Sequence, residues 1–182
     1  PLQSKRLYEF LLEYPNNDPT ILIQTNLTKL GMGGYHIDNL FEKFNIYLQV
    51  SLEHFGAKQN WIRYNSNYNT IEKNIIKYKK HISNFHVTIS ILNVDDLFDI
   101  EEYYKNKFNL EMVNYALQSP KMLSIRNHPN KSSLYKKYKN TKFENIFVEL
   151  NKDPYDINSL KNYLKKLSIK RGNYKELWPS LI

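Results

Sequence analysis

The chain alternates between two hydrophobic periods. Leu7, Leu11 and Leu12 fall on one helical face, and Thr20 to Thr25 is a short β-rich run. Ile37, Leu40, Phe41 and Phe44 return to helical spacing. The stretch from Ile46 to Glu53 then alternates apolar with polar, the mark of a strand with two different faces. Ile71, Ile75 and Ile82 stripe a further helix, with Asn69 or Thr70 as its expected N-cap. Val87 to Leu92 reads as a third strand. Leu97, Ile100, Tyr104 and Phe108 mark a helix that Asp95 would cap, and Glu111 to Leu117 reads as a fourth strand. The connections are long enough for crossover helices, so the sheet is expected to be parallel.

The polar faces of these strands sharpen the expectation. Gln24 and Asn26 share a face on the first strand, and Gln49, Ser51 and Glu53 share one on the second. His86, Thr88 and Ser90 do so on the third, with Asn93 just past its end; Met112, Asn114, Ala116 and Gln118 do so on the fourth. A closed eight-stranded barrel fills its interior with branched apolar residues. Polar faces suggest instead an open half of a TIM-like barrel, about four parallel strands with outer helices, whose concave side lines a polar cavity. The expected strand ends are Asn26, Glu53, Asn93 and Gln118. Residues 1–119 would form this partial barrel. Residues 120–182 would form a basic, mainly helical C-terminal extension packed on it, with an amphipathic helix carrying Ile157, Leu160, Leu164 and Leu167. Two segments of that extension look alike, Phe143 to Leu150 and Tyr174 to Leu181. Each is expected to pin itself to the body through aromatic burial.

Composition changes this picture in two ways. Cysteine is absent, which excludes disulfides, thiolate metal sites and a cysteine nucleophile within these residues. The net charge of +8 admits a nucleic-acid or membrane partner, but heavy use of Lys, Asn, Ile and Tyr is also a compositional bias. No stretch reaches the ~18 to 20 apolar residues of a membrane span. The opening residues do not show the basic-apolar-small pattern of a signal peptide, and the expected location is cytoplasmic. The five histidines lack metal-ligand spacing. Gly31-Met32-Gly33-Gly34 lacks the Lys-Ser/Thr of a phosphate loop and reads as a flexible connection. Lys77 to His81 and Tyr135 to Lys139 interleave basic and aromatic residues, as single-strand nucleic-acid binders do. A solvated helix face with tyrosine packing is the plainer account of both.

The order of several short motifs resembles the radical S-adenosylmethionine superfamily, specifically its twitch-domain branch. Ile23-Gln24-Thr25-Asn26-Leu27-Thr28 is similar to that family's TTNGT strand end, with Leu27 in place of Gly. Ser51-Leu52-Glu53-His54 is similar to its SIDG, with Asp enlarged to Glu53 and Gly replaced by His54. Trp61-Ile62-Arg63-Tyr64 is similar to the YIRY that follows, and Ser90 to Val94 to a strand ending in LNV. Leu123 to Asn127 and Ile169 to Gly172 fit the branch's C-terminal portion, and Pro1-Leu2 would close a GGEPL segment.

The resemblance implies a full-length parent enzyme that binds S-adenosylmethionine at the strand C-terminal ends. There it would generate a 5′-deoxyadenosyl radical at a [4Fe–4S] cluster. The cluster's CxxxCxxC ligands would lie upstream, so this cysteine-free chain alone would be inactive. Ser51 would hydrogen-bond the ribose or methionine end, and Arg63 the methionine carboxylate. Asn26 and Glu53 would reach the ribose hydroxyls, and the backbone near Leu117 and Gln118 the adenine. Implied partners are a small-molecule or peptide substrate and an electron donor, without nucleic acid or membrane. The competing reading is a non-catalytic basic module, binding nucleic acid or protein on a truncated α/β scaffold.

Overall fold

In the computed structural model, which describes residues 2–15, 18–155, 157–179 and 181, the alternating runs become four strands. They are β1 (Thr20–Thr25), β2 (Asn45–Ser51), β3 (Ile82–Ile89) and β4 (Met112–Ala116). They form one sheet in the order β1-β2-β3-β4. The sheet is parallel and does not close into a barrel, as the spacing of strands and crossovers requires. Pro1 and Ser180, which carried parts of the motif readings, lie outside the described residues.

Register fixes which side chains share a face. Gln24 lies beside Gln49, Ser51 beside His86 and Val50 beside Phe85. Between Leu48 and Gln49 the ladder shifts by one residue on β3. Ser83, the extra residue, donates to the Leu48 carbonyl at 3.2 Å. Ile46, Leu48 and Val50 are buried, as are Phe85, Val87 and Ile89, while the residues between them are open or half-buried.

The fourth strand corrects the sequence reading. The Phe85 N–H donates to the Glu111 carbonyl (3.0 Å) and the Leu117 N–H to the Ile89 carbonyl (2.8 Å). In a parallel ladder these bonds set Phe85 beside Met112 and Ile89 beside Ala116. Met112 and Asn114 therefore share the face of Phe85 and Val87. It is Val113 and Tyr115 that lie with His86 and Thr88. The alternation in β4 is weak because both parities hold apolar residues, so the period of two alone does not choose between them.

Three boundaries also move. The helix expected from Ile71 to Ile82 is Tyr68–Tyr78, capped by Asn67, whose side chain accepts the Thr70 N–H at 3.2 Å. Ile82 instead opens β3, so the third strand starts well before Val87, through Ser83 and Asn84, whose polarity hides it. The glycine-rich stretch is a tight hairpin pairing Gly31–Met32 with Tyr35–His36. Gly33 (φ 61°) and Gly34 (φ 88°) adopt the left-handed conformation that a two-residue hairpin turn demands.

The helices are α1 (Lys5–Glu13), α2 (Ile37–Phe41), α3 (Gly56–Ile62), α4 (Tyr68–Tyr78), α5 (Leu97–Phe108), α6 (Lys131–Tyr138), α7 (Phe147–Leu150), α8 (Ile157–Arg171) and α9 (Tyr174–Leu177). None of the described helices is long and apolar enough to cross a membrane. The chain divides into two compact units. The first comprises Pro1–Leu52, Ser66–His86 and Glu101–Val113. Its buried residues include Leu40, Leu48 and Val50, Ile71 and Ile75 of α4, and Tyr104 of α5, whose ring lies 4.5 Å from that of Phe85. The second comprises Glu53–Asn65, Val87–Ile100 and Asn114–Ile182. Its core includes a cluster of Trp61, Ile91, Leu92, Leu160, Leu164, Tyr174, Trp178 and Leu181. In the second unit the look-alike segments bury Phe143, Ile146 and Leu150 in one, and Tyr174, Trp178 and Leu181 in the other.

Candidate functional site

The end of β2 leads into a dense polar network within the second unit. Glu53 accepts two hydrogen bonds from Arg63, one from Nε at 2.5 Å and one from Nη2. This is a bidentate fork, the geometry that best matches a guanidinium to a carboxylate. The Glu53 side chain is 8% exposed and that of Arg63 is 37% exposed, so the pair sits with the acid inside and the base at the opening. The hydrogen bond to Glu53 raises the Arg63 pKa, against burial, which lowers it.

The backbone around Glu53 is fixed by two buried amides. Gln59 of α3 accepts the N–H groups of Glu53 (3.0 Å) and His54 (2.8 Å) through Oε1. Asn93 donates from Nδ2 to the Glu53 carbonyl (3.0 Å) and the Thr88 carbonyl (3.0 Å), and accepts the Ser90 N–H (2.8 Å). Asn93 is thus the tie between the loop after β2 and the end of β3. Its place past the end of β3 is legible in the sequence; its two carbonyl partners are not.

His54 stands where the resembled motif has glycine. Its Nδ1 accepts the Phe55 N–H at 2.9 Å, so Nε2 carries the proton and donates to Asp96 Oδ2 at 2.9 Å. Lys58 donates to the same oxygen at 2.5 Å. Burial pushes the Asp96 carboxyl up, but the hydrogen bonds from His54 and Lys58 outweigh it and hold the group at about 2. Sequence reading missed the His54–Asp96–Lys58 cluster because its members lie 4 to 42 positions apart along the chain.

Asn26 and Ser51 belong to the first unit; Glu53, Arg63, Leu117 and Gln118 belong to the second. Asn26 Oδ1 accepts the Thr28 N–H (3.2 Å) and hydroxyl (2.7 Å), an Asx turn that closes the loop after β1. Ser51 Oγ accepts from Gln24 Nε2 at 3.1 Å. Leu117 uses its N–H in the ladder to Ile89. Gln118 is exposed and its Nε2 donates to the Ala116 carbonyl at 3.4 Å. The structure therefore unites Glu53 with Arg63 and gives Asn26 and Ser51 local partners.

Four further motif residues are tied together in the second unit. Trp61 Nε1 donates to the Gly172 carbonyl at 2.9 Å, and Arg171 Nη1 donates to the carbonyls of Trp61 (3.1 Å) and Ile62 (3.0 Å). Arg63 thereby follows directly on an anchored pair of residues. The basic–aromatic runs bury their rings: Tyr78 and Tyr138 are core residues, and Tyr135 packs on Phe147. Among the described residues no three His, Asp or Glu side chains gather as metal ligands. Comparison of the chain with family models, curated proteins and solved structures finds no match.

Proposed function

We propose that this chain is the S-adenosylmethionine-binding, C-terminal portion of a radical S-adenosylmethionine enzyme. The observation that carries the reading is the Glu53–Arg63 fork after β2 of an open parallel sheet, the end at which such sheets bind ligands. An amino-acid zwitterion replaces that fork group for group. Its carboxylate takes Arg63 and its ammonium takes Glu53. The backbone at Leu27 also supports the resemblance: its φ of 56° is the left-handed conformation that the family's glycine would adopt there.

The donor sets differ in fit. A sulfonium amino acid suits Glu53 and Arg63. An iron–sulfur cluster does not suit this chain, which has no cysteine to supply thiolates, so its ligands would come from residues outside this sequence. S-adenosylmethionine, when bound, supplies the radical chemistry; these residues bind and orient it. The substrate is a small molecule or peptide.

Calorimetry of the chain with S-adenosylmethionine tests this. Arg63→Ala should weaken binding by about 10- to 150-fold, the value of ~1.5 to 3 kcal/mol for a bond to a charged group. Glu53→Gln should weaken it in the same direction, and removing the ligand's carboxylate should abolish the difference between wild type and Arg63→Ala. Absence of binding, or affinity unchanged by both variants, would overturn the reading.

A further inference from the structure

A second polar concavity lies in the C-terminal part of the second unit. It has a volume of about 400 Å³ and is walled by Arg126 to Ser132 together with Pro154 and Tyr155. That size falls in the range of small-molecule sites. Two of its residues, Arg126 and Asn127, belong to the Leu123 to Asn127 motif, and it shares no residue with the Glu53–Arg63 fork.

Its charges are arranged for an anion. Lys131 Nζ donates to the carbonyls of Leu150 (3.0 Å) and Lys152 (3.2 Å), and no carboxylate among the described residues pairs with it. A cation held by backbone carbonyls alone keeps its whole charge for a ligand. Arg126 gives Nε to Glu149 Oε2 (2.8 Å), and its guanidinium packs over the Tyr155 ring at 5.0 Å. Its two terminal nitrogens have no acceptor among the described residues. The same wall is the first turn of α6. Asn130 caps it by accepting the Ser133 N–H at 3.0 Å, while the N–H groups of Lys131 and Ser132 have no acceptor among the described residues.

Asn127 supplies an independent sign of a missing ligand group. It is 3% exposed, and its Nδ2 donates to the carbonyls of Lys121 (3.4 Å) and Met122 (3.1 Å). That fixes the amide, and Oδ1 is left buried with no partner among the described residues. An unfilled buried acceptor costs free energy unless a donor reaches it. The lining residues therefore combine cationic and N–H donors with one unfilled acceptor.

We propose that this cavity binds a small phosphomonoester. The phosphate has three oxygens to meet Lys131, Arg126 and the α6 N–H groups, which a planar carboxylate cannot satisfy together. A hydroxyl of the organic remainder donates to Asn127. The proposal stands independently of S-adenosylmethionine binding.

Glycerol 3-phosphate is the probe, titrated into the ¹⁵N-labelled chain, with acetate as the carboxylate control. The amides of Lys131 and Ser132 should shift saturably with glycerol 3-phosphate and not with acetate. Lys131→Gln should weaken binding about tenfold, by loss of one charge-assisted bond. Ser132→Glu places a carboxylate where the helix dipole favours it, so the fold is kept while the phosphate is repelled. It should abolish the shifts with the remaining spectrum intact. Absence of saturable shifts, equal response to acetate, or affinity unchanged in both variants would overturn the proposal.

Discussion

Arg63 and Glu53 show how one pair sets local stability. Removing Arg63 leaves a buried carboxylate without its partner, which costs ~3 to 5 kcal/mol when a pair is fully buried. Arg63 keeps a solvent edge, so Arg63→Ala should cost about 2 kcal/mol, discounted for screening. Adding Glu53→Gln to Arg63→Ala should recover part of that loss, because the orphan charge is removed. Urea denaturation of the single and double variants reads both effects. Asp96 gives the matching acid dependence. Its folded value of about 2 lies below the ordinary 3.8, because His54 and Lys58 stabilise its anion against burial. The folded state therefore binds fewer protons, and its contribution is fully present above about pH 4 and lost as pH falls through about 2. The loss should total roughly 2 kcal/mol, and Asp96→Asn should flatten that acid limb in denaturation measured from about pH 5 downward.

At the level of elements, the loops after the strands do more than connect. After β1, Leu27 holds a left-handed backbone at φ 56°, which costs a branched residue about 1 to 2 kcal/mol. Its side chain is fully buried and its carbonyl accepts from Asn74 Nδ2 at 2.7 Å, so tertiary packing enforces the turn. Leu27→Gly should relieve the strain yet lose the buried side chain, for a net destabilisation of about 1 to 3 kcal/mol by thermal unfolding. At the other end of the chain, α9 is too short to persist by propensity. It is held by Trp178, whose ring meets Trp61 edge-on at 5.2 Å and whose Nε1 donates to the Leu92 carbonyl at 2.7 Å. Trp178→Ala should cost about 3 to 5 kcal/mol in chemical denaturation. The paired aromatic segments were legible as anchors because aromatic burial is written in spacing. The partners that receive them were not, since Trp61 and Leu92 lie far off in sequence.

On the scale of the whole molecule, the sheet ends at β1, one edge of which has no strand partner among the described residues. Leu22 on that strand is 58% exposed. Unpaired edges invite pairing with another chain. The chain should self-associate at high concentration in analytical ultracentrifugation, and Leu22→Lys should reduce it. Reconstitution of this cysteine-free chain with iron and sulfide should give no stoichiometric [4Fe–4S] spectrum, because thiolate ligands are absent from its sequence. The parallel α/β order is legible in the residues, because crossover lengths and hydrophobic periods are local quantities. So are the buried faces of β2 and β3, since alternation there is unambiguous. The facing of β4 follows from packing, because both parities are apolar and only the ladder bonds to β3 choose; the folded chain settles more than this. It alone joined Glu53 to Arg63 and His54 to Asp96, and it alone put Arg126 and Lys131 in one cavity wall with Pro154 and Tyr155. The His54–Asp96 pairing depends on how segments 42 positions apart pack, a property that no short window of residues contains.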